Sequence, residues 1–156
     1  MSNLQILLRL IMATALGGLI GFERESRRRA AGFRTHILVC LGSTLVMIIS
    51  VELFETYRGL ANVDPSRIAS QVLTGIGFLG AGTILRSGPS VQGLTTAASI
   101  WTVAGIGLAV GCGFYFASFA ATLLVFVTLV VFSKMEQEFF PKGSSKEGPA
   151  YDGQKN

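Results

Sequence analysis

Apolar residues gather in five long runs, at 4–22, 35–54, 65–85, 93–111 and 114–133, separated by short polar or charged stretches. None of the runs alternates strictly, as a half-buried strand would. Each approaches the ~20 apolar residues that a ~30 Å hydrocarbon core requires. The pattern predicts an all-α, polytopic integral membrane protein with five transmembrane helices forming one domain over residues 1–133. A polar tail follows at 134–156, and its Gly/Ser/Lys-rich part after residue 140 has too few apolar groups to fold. A soluble bundle is excluded by residues 64–113, which carry only three charges, Asp64, Arg67 and Arg86.

Small residues add packing information. Glycines weaken helices in water but let helix backbones approach closely in lipid. Gly17 and Gly21 form a GxxxG face on the first run. In the third run Gly75 and Gly82 lie on one face and Gly77 and Gly80 on nearly the opposite one, at ~100° per residue. The fourth run divides similarly, with Gly105 on one side and Gly107 and Gly111 on another. These nine glycines are the predicted helix-packing positions, and the two-faced third and fourth helices are expected at the centre. Gly75–Gly80 also matches GxGxxG, but it sits inside an apolar run with no acidic residue following until Glu136. A dinucleotide site needs a preceding strand and such an acid, so the motif is expected to serve packing.

The net charge of +4 changes the picture by its placement. Arg24, Arg27, Arg28, Arg29 and Arg34 crowd the first connection, Arg86 lies in the third, and four lysines occupy the tail, so 10 of the 13 basic residues fall on one side. Positive loops stay cytoplasmic. The N-terminus is therefore expected outside and the C-terminus inside, with the arginine loop also contacting anionic lipid headgroups. This placement argues against nucleic acid as a partner. The arginines follow the first apolar run instead of preceding it, so that run is expected to remain as an anchor and not be cleaved as a signal peptide. Cys40 and Cys112 fall at opposite ends of the helices, too far apart for the ~7 Å limit of a disulfide.

Candidate chemistry is sparse. Glu23 and Glu25 end the first run beside arginines, and carboxylates near hydrocarbon are costly unless paired; a salt-bridge lattice is expected, with cation or partner binding as the sharper alternative. Asp64-Pro65 reads as a helix N-cap with Pro at the first position. Arg67 in the first turn opposes the helix dipole, so a carboxylate partner is expected among Glu52, Glu55 and Asp64, three acids that alternatively gather a cation. Gln71, Thr74, Thr83, Thr95, Thr96, Ser99 and Thr102 are expected to bond between helices or to their own backbones, with a polar pathway as the alternative. His36 is expected as an interfacial side chain. No Ser/His/Asp set, metal-ligand spacing or phosphate-binding loop is present, so neither enzymatic activity nor a cofactor is expected.

Taken together, GGLIGFERE, AGFRTHILVCLGS, DPSRIASQVLTGIGFLGAGTIL and GLTTAASIWTVAGIGLAVGCGFY resemble the MgtC/SapB family of bacterial membrane proteins over about residues 4–133. The resemblance implies a multi-pass inner-membrane protein linked to adaptation to low magnesium and, in some pathogens, to virulence. It also implies action by contact with other membrane proteins, the membrane ATP synthase among them, while direct magnesium transport is the rival. Carried onto this chain, the family's charged motif comprises Glu23, Arg24, Glu25, Arg34, Asp64, Arg67 and Arg86. Close-packing helices are also compatible with a homo-oligomer. A folded C-terminal domain, present in longer relatives, is not expected after the fifth helix.

Overall fold

The computed structural model describes residues 1–60 and 64–132. Five helices follow one another, α1 (Asn3–Ser26), α2 (Phe33–Tyr57), α3 (Pro65–Ala81), α4 (Leu94–Cys112) and α5 (Tyr115–Val127), the last continued by a π-helical segment over Thr128–Phe132. Helices α1, α2, α4 and the α5–π segment are long and apolar enough to cross a membrane. Such a set of helices, exposing Leu7, Leu38, Phe78, Trp101, Phe116 and Leu124 on its outside, is a membrane protein: no aqueous surface tolerates so much apolar area.

Local chemistry sets the helix ends. Ser2 and Gln5 form a capping box that starts α1, satisfying two of the first-turn donors that have no partner within the helix. Helix α1 runs four residues past the expected end at 22, because Glu23 and Arg24 turn into the bundle and are buried there. Helix α3 is shorter than the predicted run 65–85, at 17 residues or ~25 Å. The short polar stretch between the third and fourth runs is an antiparallel hairpin, β1 (Leu85–Ser87) with β2 (Ser90–Gln92), pairing Leu85 with Gln92 and Ser87 with Ser90. Gly88 at φ +59 and Pro89 make its two-residue turn. Gly93, at φ +91, then starts α4 where a Cβ would collide with the Thr83 carbonyl, so only glycine lets the hairpin fold back onto α3.

The order of packing differs from the sequence expectation. Helix α2, and not α3, is central, with α1 on one side and α4 on the other. A Cβ on Gly17 would meet Cys40 Cβ and the His36 carbonyl at 2.8 Å, and one on Gly21 the Phe33 carbonyl at 2.8 Å. From the other side, a Cβ on Gly111 would meet Met47 Cβ at 2.6 Å, and one on Gly107 would run into the Cys40 carbonyl. The face of α2 that receives both neighbours is His36, Cys40, Ser43, Thr44, Met47 and Ser50, all buried and recurring at helical spacing. Ala13, Ile20, Cys40, Val103, Ala104 and Val110 fill the core completely.

Helix α3 is peripheral. Only Gly80 on it is buried, in ordinary contact with Ala97 of α4. Within this chain Gly75, Gly77 and Gly105 face open space, and Gly82 meets only carbonyls of its own helix end, so the packing role expected of these four is not met here. The reason is a missing neighbour: α3 rests against α2 and α4 along one side only, and its other small face meets no helix of this chain. The expected tail at 134–156 lies outside the described residues.

Candidate functional site

The α1–α2 connection and the hairpin lie at the same end of the bundle, and there α1, α2 and α4 enclose a cluster of charged and polar side chains. Glu23 is 7% exposed and Arg24 1%. Arg24 Nε donates to Glu23 Oε2 at 2.5 Å, while Arg27, one turn on, places its Nε 2.5 Å from Glu23 Oε1. One buried carboxylate thus serves two guanidinium groups. His36 is fully buried beside them. Its Nδ1 lies 2.8 Å from the Gly32 carbonyl and its Nε2 3.0 Å from Ser99 Oγ of α4; since a carbonyl only accepts, Nδ1 carries a proton. The histidine therefore joins α2 to α4 in the same layer in which Glu23 and Arg24 anchor the end of α1.

Glu25 has a different job. Its Oε2 accepts the Phe33 backbone N–H at 3.0 Å, capping the start of α2 from the end of α1. A Cβ on Gly32 would coincide with that carboxylate, so the Glu25 cap and Gly32 require each other. Glu23 is paired with arginines as the lattice reading expects, whereas Glu25 is held by a backbone N–H. His36 is the residue that sequence reasoning misplaced. The signal was present: His36 shares the α2 stripe with Cys40, Ser43 and Thr44, small or polar residues at helical spacing in an otherwise apolar run, which marks a buried face.

The remaining motif residues are dispersed. Arg34 and Arg86 are exposed at the arginine-rich end, Arg86 donating to the Gly88 carbonyl at 3.3 Å. Asp64 and Arg67 lie at the opposite end, where Ser50 Oγ donates to the Pro65 carbonyl at 2.8 Å. Asp64 caps α3 as expected, its Oδ1 accepting from the Ser66 backbone at 2.8 Å and the Ser66 hydroxyl at 2.7 Å. Those two bonds, with Arg67 adding to them, hold the Asp64 carboxyl below the usual carboxylate range. The cap therefore stays ionised as pH falls until that lowered value is passed.

Arg67 makes no ion pair among the described residues. Glu52 pairs with the Met1 ammonium at 2.6 Å and Glu55 with Arg58 at 3.5 Å, so the carboxylate partner expected for Arg67 is already engaged elsewhere in each case. Among the described residues, no three His, Cys, Asp or Glu side chains come together. Arg9, inside the first apolar run, ties α1 to the α4–α5 turn: it donates to the Gly111 carbonyl at 2.5 Å and to Tyr115 Oη at 3.0 Å, its guanidinium 5.7 Å from the ring centroid. Cys40 and Cys112 are both free thiols.

These features define an all-α membrane protein built on glycine-mediated helix contacts, with a buried Glu–Arg–His cluster at its arginine-rich end. Comparison with known proteins places it further. The MgtC family model matches residues 10–138, and the chain belongs to that family. It is 44% identical over 133 residues to YhiD of Escherichia coli, whose name proposes a magnesium transporter, covering 84% of this chain and 62% of that one. It is 40% identical to SapB of Bacillus subtilis (92% and 60% covered) and 39% identical to MgtC of Salmonella typhimurium (91% and 58% covered). The chain thus spans about 60% of the length of these relatives. No solved structure matches.

Proposed function

We propose that this is a non-enzymatic, multi-pass inner-membrane protein of the magnesium-linked MgtC/SapB type, acting by contact with other membrane proteins. The observation that carries the reading is the closed interior. Ala13, Ile20, Cys40, Val103, Ala104 and Val110 have no access between α1, α2 and α4, and three buried hydroxyls donate to backbone: Thr44 to the Gly107 carbonyl, Ser99 to that of Thr96 and Thr122 to that of Ser118. A hydrated ion finds no file of free oxygens there, and the acids at the Asp64 end are separately engaged. The rival reading, a magnesium or other cation transporter, draws on the name of the E. coli relative and on the family's tie to magnesium. Reconstituted in liposomes, the purified protein should give no dye-detected Mg²⁺ flux above empty vesicles. Flux above that level would overturn the regulator reading in favour of the transporter.

The arrangement in the bilayer is part of the same proposal. Five crossings are supported by α3 running alongside α2, from the Ser50–Pro65 contact to the level of Thr35 and Thr83. The arginine-rich end is placed in the cytoplasm by the positive-inside rule, and the N-terminus outside. In a Cys112→Ser background, a membrane-impermeant thiol reagent added outside should label Leu60→Cys and spare Arg29→Cys. The reverse pattern would invert the orientation, and equal labelling of both would remove a crossing.

A further inference from the structure

The open glycines acquire a meaning from the space they border. Between α2 and α3 lies an apolar groove of about 390 Å³, walled by Val46, Val72, Ile76 and Leu79 and floored at Gly42 and Gly75. Neither glycine has a neighbour within 4 Å of a would-be Cβ, so what glycine does at both positions is keep the groove clear. Leu79 is shared with a second hollow of about 320 Å³ at the arginine-rich end, lined by Ala30, Thr35, Phe78 and Thr83. The two hollows adjoin at Leu79, one after the other along α3.

The chain around the second hollow is basic. Ala30 and Thr35 directly follow Arg29 and Arg34 in the chain, and Thr83 is three residues before Arg86. Arg28, Arg29, Arg34 and Arg86 are all exposed, and none makes an ion pair among the described residues. The nearby carboxylates are already committed, Glu23 to Arg24 and Arg27, and Glu25 to the Phe33 N–H. Four arginines without an ion pair among the described residues thus form a basic rim, one to three residues along the chain from Ala30, Thr35 and Thr83 of the second hollow.

The geometry points to a binding site for one anionic phospholipid, an acyl chain in the α2–α3 groove and the phosphate on the Arg28/Arg29/Arg34/Arg86 rim. An extended hydrocarbon is the ligand that a laterally open, apolar groove in a bilayer admits, and guanidinium groups pair with phosphate through two parallel hydrogen bonds. The zwitterionic lipid of the same chain length fits the groove but leaves the rim charge uncompensated. A second copy of the chain, laid along α3, is the competing occupant.

The test uses the purified full chain in mild detergent, with phosphatidylglycerol or phosphatidylcholine of identical chains added, read by native mass spectrometry and by thermal unfolding. Phosphatidylglycerol is expected to remain as a one-to-one adduct and to raise Tm, with phosphatidylcholine retained at least ~10-fold less. Arg29→Gln/Arg34→Gln should abolish that preference. Gly75→Leu should leave the lipid-free Tm unchanged, since its Cβ meets nothing, and should lose the adduct; Gly42→Leu, from the opposite wall, provides the same reading independently. Equal retention of the two lipids, or an adduct that survives both glycine variants, would overturn the proposal. A protein dimer dissolved by Gly75→Leu, without bound lipid, would assign the groove to a second copy instead.

Discussion

Gly107→Leu should abolish recovery of folded protein, whereas Gly77→Leu and Val125→Leu should melt close to the wild type. At Gly107 the first added carbon already runs into the Cys40 carbonyl and comes within 2.9 Å of Ser43 Cβ. The obstacle is backbone of the central helix, which cannot swing away as a flexible side chain would. Overpacking a well-filled core costs about 1–3 kcal/mol and more where no rearrangement is open; here α4 must separate from α2, breaking the Thr44–Gly107 and His36–Ser99 bonds with it. Gly77 has nothing within 4 Å, so the same substitution there meets lipid-facing space. Monodispersity on size-exclusion chromatography and Tm distinguish these outcomes. A Gly107→Leu protein that purifies and melts like the wild type would show that α2 and α4 do not approach as described.

Glu23→Gln should be the most damaging single change of charge in the chain. It removes the one carboxylate shared by Arg24 and Arg27 while leaving Arg24 with 1% exposure. An uncompensated buried charge of this kind costs about 3–5 kcal/mol, and the position at the end of a membrane helix gives the guanidinium no short route to water. Glu25→Gln is the control. Its carboxylate is exposed and accepts one backbone N–H from Phe33, a bond that a glutamine oxygen can also accept, so a small change in Tm is expected. Replacing both members, as Glu23→Gln/Arg24→Leu, should recover part of the loss, because it removes the stranded charge itself. Equal Tm for Glu23→Gln and the wild type would show that Arg24 is solvated or paired by another route.

Much of the architecture was written in local chemistry. The apolar runs, the Asp64 cap, the Pro65 start and the GxxxG face of α1 each depend on nearest neighbours and on the bilayer as solvent, and the local sequence pattern reports both. The charged ends of the first two runs were legible for a similar reason: a carboxylate flanked by arginines at the edge of hydrocarbon has few alternatives to pairing. The cluster's depth was not legible. Whether Glu23, Arg24 and His36 lie at a surface or inside depends on which helix comes to rest against them, and Ser99 is 63 residues from His36.

The same limit explains the glycines. Gly17, Gly21, Gly107 and Gly111 bring α1 and α4 onto α2, but Gly75, Gly77 and Gly105 have the same local signature and touch nothing in this chain. A small residue permits close approach on its face without naming the partner, so the sequence by itself determined the class of protein, its helices and its family. Tertiary structure alone decided that α2 is the centre, that α3 stands at the edge with an open groove beside it, and that a polar corner closes as a hairpin. The first two choices are made by contacts between residues far apart in the chain, where no pattern along a single helix carries the information; the hairpin is made by backbone pairing across Gly88-Pro89.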